Sequence, residues 1–124
     1  KKRWGRIGDS PVIGAGTYAD NNSCAVSCTG HGEYFIRHAV AFDVCARYKY
    51  LKESVEKAAD YIIHTELNTN AGNGGLIAVD KLGNIAMTYN SGGMFRGFLY
   101  KEKGSPEIKK GCGIGKKIVV VGEK

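Results

Sequence analysis

The chain has 124 residues, 43% of them hydrophobic and 24% charged, a composition that suits a single globular domain large enough to bury a core. No apolar run approaches the ~20 residues that cross a bilayer, and Lys1-Lys2-Arg3 leads into glycines and Asp9 rather than an apolar signal core, so neither membrane nor secretion is indicated and the cytoplasm is expected. The net charge of +6 gathers at the ends, in Lys1 to Arg3 and in Lys101, Lys103, Lys109, Lys110, Lys116 and Lys117, which reads as solubilising charge and argues against a nucleic-acid partner.

Residues 5 to 16 are rich in glycine and contain Pro11, so they are expected to form a specific but irregular loop with Val12 and Ile13 tucked into the core. Ser23 to Thr29 is a short β-capable run, and Gly30-His31-Gly32 breaks it before a helical pattern begins. From Glu33 to Tyr50 apolar residues recur at Tyr34, Phe35, Ala39, Phe42, Cys45 and Ala46, widened by Ile36 and Val40, which predicts one helix covered on most sides. A second helix is expected from Lys52 to Leu67, with Val55, Ala58, Ala59, Ile62 and Ile63 facing inward and Glu53 paired with Lys57. After the polar stretch Asn68 to Gly75 comes a hairpin, Leu76 to Asp80 and Ile85 to Tyr89, turning at Gly83. Lys117 to Val121 reads as a last strand, reached through a Lys/Gly-rich, mobile connection over 101–116. The expectation is one α+β domain over 1–124, with an antiparallel sheet and two packed helices.

Several motifs carry little. Cys24, Cys28, Cys45 and Cys112 lack zinc-type spacing, and on a strand Cys24 and Cys28 would lie ~13 Å apart, too far to bridge. They read as buried free thiols of a reducing compartment. Gly111 to Lys116 lacks the spacing, the Ser or Thr and the following helix of a phosphate loop. Cys28 and His31 lack a third, orienting residue for a nucleophile and base. No metal or cofactor is called for.

Two segments carry more. In Thr29-Gly30-His31-Gly32-Glu33 a strand ends at a hydroxyl, and two glycines allow a ligand close to the backbone. Thr29 Oγ and the Gly30 N–H could stabilise a developing oxyanion, or the segment could be only a capped glycine turn. In Trp4-Gly5-Arg6-Ile7-Gly8-Asp9, a rigid loop would let Arg6 fork a carboxylate while Asp9 accepts from an ammonium, the two α-groups of an amino acid. The same pair could instead close on itself as a salt bridge that pins the loop.

These segments, as GRIGDSPVIGAGTYA and AVSCTGHGE, together with HAVAFDVCARYKY, GGLIAVDKLGNIAM and GGMFRG, resemble the β subunit of plant-type asparaginases, also called isoaspartyl peptidases, relatives of glycosylasparaginase. The resemblance covers nearly all of positions 4 to 100. It implies an N-terminal nucleophile hydrolase with a four-layer αββα sandwich, in which an autoproteolytically exposed Thr attacks a side-chain amide and its own α-amino group serves as base. By the matching motifs it assigns Arg6 to the substrate α-carboxylate, Asp9 to the α-amino group, Thr29 and Gly30 to the oxyanion, and Gly32 to the pocket backbone. It further implies an α subunit from the same precursor and a dimer of αβ pairs, with L-asparagine or β-aspartyl peptides as substrate. In the family the nucleophilic Thr precedes the GRxGD motif, and none of Thr17, Thr29, Thr65, Thr69 and Thr88 occupies that place. The chain is therefore expected to be an incomplete β subunit, inactive alone; the alternative is a non-catalytic, amino-acid-binding homologue.

Overall fold

Period-two alternation builds the central sheet. Strands β1 (Thr17–Ala19), β2 (Cys24–Gly30), β3 (Gly74–Asp80) and β4 (Ile85–Tyr89) are antiparallel and lie in that order. These are strands of a computed structural model that describes residues 3–115 and the backbone of 119–123. Cys24, Val26 and Cys28 on β2, Leu76 and Ala78 on β3, and Ala86 on β4 point into one core, whereas Ile77 and Val79 stand on the opposite, exposed face. The register pairs Val26 with Ala78 and Cys28 with Leu76, so alternate residues of neighbouring strands share a face. The expected hairpin is present. Its turn is organised by the buried Asp80, whose Oδ1 accepts from the N–H groups of Leu82 at 2.8 Å and Asn84 at 2.9 Å.

The helices cover one face of this sheet. The periodic stretch expected as one helix is two, α1 (Gly32–Arg37) and α2 (Val40–Tyr50), separated at Ala39, whose φ of 46° is left-handed. The break has a tertiary cause. The first N–H groups of α2, from Ala41 and Phe42, donate to the carbonyls of Ala15 at 3.0 Å and Gly14 at 2.9 Å, so the opening loop caps a helix that has no side-chain cap of its own. This start also turns Ile36 and Phe42 outward, while Phe35, Val40, Ala41, Val44 and Cys45 are buried.

The next helix, α3 (Val55–Tyr61), starts at Ser54, whose hydroxyl accepts from Lys57 N–H at 3.2 Å, later than expected by the length of that cap. It runs on as a π-helical turn, Ile62–Leu67, whose wider repeat brings Ile62, Ile63 and Leu67 all into the core. All five residues expected on its inward face are buried, and the Glu53–Lys57 pair forms at 3.9 Å. Arg47 joins α2 to this helix, stacking 3.7 Å over the Tyr61 ring and pairing with Glu53 at 3.6 Å.

Contacts divide the chain into two compact units, Lys1–Asn90 and Ser91–Lys124. The second holds an antiparallel sheet of β5 (Arg96–Lys101), β6 (Ile108–Gly113) and β7 (Val119–Glu123). The Lys/Gly-rich stretch expected as a connection thus contains β6, held by ladders on both sides and by a 2.8 Å Lys109–Glu102 ion pair. Of the residues expected in the last strand, Lys117 and Ile118 lie outside the described residues, as do the terminal charges Lys1, Lys2 and Lys116. Cys112, expected to be buried, is exposed on β6.

The α+β class and the antiparallel sheet with packed helices are as expected. The opening loop differs: Ile13 is 83% exposed and Val12 is 38% exposed. The Val12 carbonyl accepts from the N–H groups of Ala15 and Gly16, a tight turn that throws both side chains outward. Ala15 and Asp9 enter the interior in their place.

Candidate active site

The opening loop is short of regular structure but not of hydrogen bonds. The Arg6 N–H donates to the Arg3 carbonyl at 3.2 Å, the Val12 N–H to the Asp9 carbonyl at 2.9 Å, and the Gly14 N–H to the Thr17 carbonyl at 2.8 Å. Beyond it the Gly16 carbonyl accepts from Cys28 N–H at 2.8 Å, which fixes the loop to β2. A loop bonded in this way holds its side chains at defined positions, as recognition requires.

The other wall is the end of β2. Gly30 has φ 146°, open to glycine alone, and a Cβ there would overlap the Asn73 carbonyl oxygen and lie 2.6 Å from Gly74 Cα. Its partner in the register is Gly74, so two bare backbones meet where the strands end. The His31 N–H closes this end by donating to the Asn73 carbonyl at 2.8 Å. Thr29, one residue earlier, is exposed on the sheet face that the helices leave uncovered.

Loop and strand end enclose a cavity of about 260 Å³ lined by Arg6, Ile7, Gly8, Asp9, Ser10, Thr29 and Gly30. The structure therefore brings Arg6, Asp9, Thr29 and Gly30 to one place. Gly32 lies behind them: a Cβ on it would stand 2.8 Å from Asp9 N and 2.9 Å from Asp9 Oδ1. The Arg6–Asp9 salt bridge left open by the spacing does not form among the described residues. Arg6 is exposed while Asp9 is only 4% exposed, and Asp9 Oδ2 has no hydrogen-bond partner among the described residues. A buried acceptor without a donor is costly. The cavity thus offers a cation at its rim, an anion in its wall and a hydroxyl beside it.

Neighbouring groups do not compete for this chemistry. Burial pushes the Cys28 thiol up to about 12, with the nearby Asp9 charge adding to the shift, so Cys28 is a neutral thiol and not a nucleophile. Cys24 and Cys45 face each other with Sγ atoms 2.7 Å apart, and the Cys45 contact and burial push the Cys24 thiol up. A larger cleft, about 450 Å³, is lined by Tyr48, Lys49, Lys52 and Asp80 among others, but the carboxylate of Asp80 is occupied by its turn. Among the described residues no group of His, Cys, Asp and Glu is arranged to hold a metal ion. The spacing had not singled out Ser10, whose place in the lining follows from its adjacency to Asp9.

The model of a family described as Asparaginase matches residues 1–108. The chain belongs to the asparaginase family. Among relatives of this asparaginase-family chain, the isoaspartyl peptidase of Salmonella typhimurium is 50% identical over 96 residues, covering 77% of the chain and 31% of that protein. The isoaspartyl peptidase of Escherichia coli is 44% identical over 110 residues, 81% of the chain and 34% of that protein. The probable isoaspartyl peptidase/L-asparaginase 2 of Arabidopsis thaliana is 51% identical over 96 residues, 77% of the chain and 29% of that protein. The chain spans about a third of the length of these curated relatives.

Proposed function

We propose that this chain forms the substrate-recognition and oxyanion part of an amidohydrolase acting on the side-chain amide of L-asparagine and on β-aspartyl peptides. The convergence of Arg6, Asp9, Thr29 and Gly30 on one cavity carries the reading, and the names of the relatives supply the substrate class. Arg6 forks the α-carboxylate, Asp9 accepts from the α-ammonium, and Gly32 backs Asp9. Bound by its two α-groups, the substrate extends its side-chain carbonyl toward Thr29 Oγ and the Gly30 N–H, which stabilise the oxyanion as the amide is attacked.

The attacking group is an N-terminal Thr supplied from outside these 124 residues. Its hydroxyl adds to the amide carbon, its α-amino group takes the proton and returns it to the departing ammonia or amine, and water then hydrolyses the ester. The partner is an α subunit of the same precursor, and two αβ pairs form the dimer. The buried thiols of Cys24, Cys28 and Cys45 support a reducing, cytoplasmic setting.

The test is ammonia release from L-asparagine by the full-length, processed protein and by the 124-residue chain. Turnover by the former and none by the latter is expected. Turnover by the short chain would show that a group within it is the nucleophile, and L-aspartate binding without turnover by the full-length protein would favour the amino-acid-binding homologue.

A further inference from the structure

Gly16 is held from several sides. Its carbonyl accepts from Cys28 N–H at 2.8 Å, its N–H donates to the Val12 carbonyl at 3.2 Å, and the two preceding carbonyls, of Gly14 and Ala15, cap α2. The backbone at this point cannot retreat without breaking bonds to β2, to the loop and to a helix. Gly16 is not among the glycines with positive φ, so an L-residue could adopt its conformation. What the position demands is the absence of a side chain.

The reason is Asp9. A Cβ on Gly16 would overlap the Asp9 carbonyl oxygen and stand 2.8 Å from Oδ2, well inside contact distance. From the other side, a Cβ on Gly32 would meet Asp9 N at 2.8 Å and Oδ1 at 2.9 Å. Asp9 thus lies between two glycine backbones at which a Cβ would crowd its carboxylate, one at each oxygen.

We propose that Gly16 is a positioning residue for the amino-group clamp: with Gly32 it seats the Asp9 carboxylate in the cavity wall and so makes a protonated α-amino group a requirement of the substrate. The inference rests on the functional reading above. It predicts selectivity, since a displaced Asp9 harms only substrates that carry the amino group.

The experiment compares L-asparagine with succinamate, which has the same amide and carboxylate but hydrogen in place of the amino group, on the full-length processed protein. The wild type should prefer asparagine in kcat/KM. Gly16→Ala should lower that preference about ten-fold or more, the size expected for losing a charge-assisted bond, mainly through the KM for asparagine, with succinamate turnover little changed. In an Asp9→Ala background, where the preference is already lost, Gly16→Ala should lower it no further.

Equal loss on both substrates, or a further drop in the Asp9→Ala background, would overturn the inference while leaving the functional reading intact. A wild type inert toward both would overturn the functional reading and the inference with it. Should Gly16→Ala not fold, the same ratio is read on Gly32→Ala, where the same selective loss is expected. Failure of both to fold would assign the two glycines to the fold alone and overturn the proposal.

Discussion

Arg6 is exposed at the cavity rim, whereas Asp9 is 4% exposed in its wall, so the two charges should contribute differently. A rim guanidinium retains its water and holds no part of the core. Arg6→Ala should therefore leave the unfolding midpoint unchanged while raising the KM for L-asparagine about ten-fold or more, with a smaller change in kcat. Arg6→Lys should fall between, keeping the charge but losing the planar fork. Michaelis kinetics on the full-length protein check this, and an unaltered KM in Arg6→Ala would remove the carboxylate assignment. That Arg6 and Asp9 belong together was legible in the sequence, as two opposite charges in one glycine-rich loop; whether they pair with each other or line a cavity was not, because that depends on how the loop folds. Nor was Gly16. It bears no functional group, and its role depends on how close another backbone comes, which spacing does not encode.

The elements were legible where their cause is local. The hairpin of β3 and β4 follows from alternation and a turn residue, and the inward face of α3 from its period. The break at Ala39 follows from carbonyls of Gly14 and Ala15, far away in sequence, and β6 from ladders on both of its sides; neither has a local signal strong enough to announce it. Asn90 is a cause of the same tertiary kind. Its Oδ1 accepts from Gly74 N–H at 2.8 Å, and its Nδ2 faces the Gly72 carbonyl at 2.9 Å, Asn68 Oδ1 at 2.7 Å and the Ile63 carbonyl at 3.2 Å. It thus ties the end of the helical layer to the first residue of β3, the partner of Gly30. Asn90→Ala should cost about 2 kcal/mol in urea unfolding, because partly buried backbone groups lose their partner. A change below about 0.5 kcal/mol would show that water replaces the amide there.

At the scale of the whole molecule, the face of the sheet away from the helices is the informative one. Across β2 and β3 the register aligns Ala25 with Val79, Ser27 with Ile77 and Thr29 with Gly75. The surface bearing the Thr29 hydroxyl is therefore continuous with one bearing Ile77, 47% exposed, and Val79, 46% exposed. Two adjacent β-branched residues on the outer face of a sheet are costly to leave in water. The family resemblance implies a second sheet packed against this one, and relatives about two and a half times as long as this chain have the residues to supply it. If that layer is present, Val79 is a core residue in the full-length protein. Val79→Asp should then destabilise it by about 3 kcal/mol or more, the cost of an unpaired polar group inside a sandwich, against no more than about 0.5 kcal/mol for a side chain facing solvent. Urea unfolding of the full-length protein separates the two. The larger value would mean that Thr29 works at the seam between two sheets, sheltered from bulk water, where the oxyanion contacts of Thr29 and Gly30 are strongest. The smaller value would leave the face open and remove the sandwich from this account.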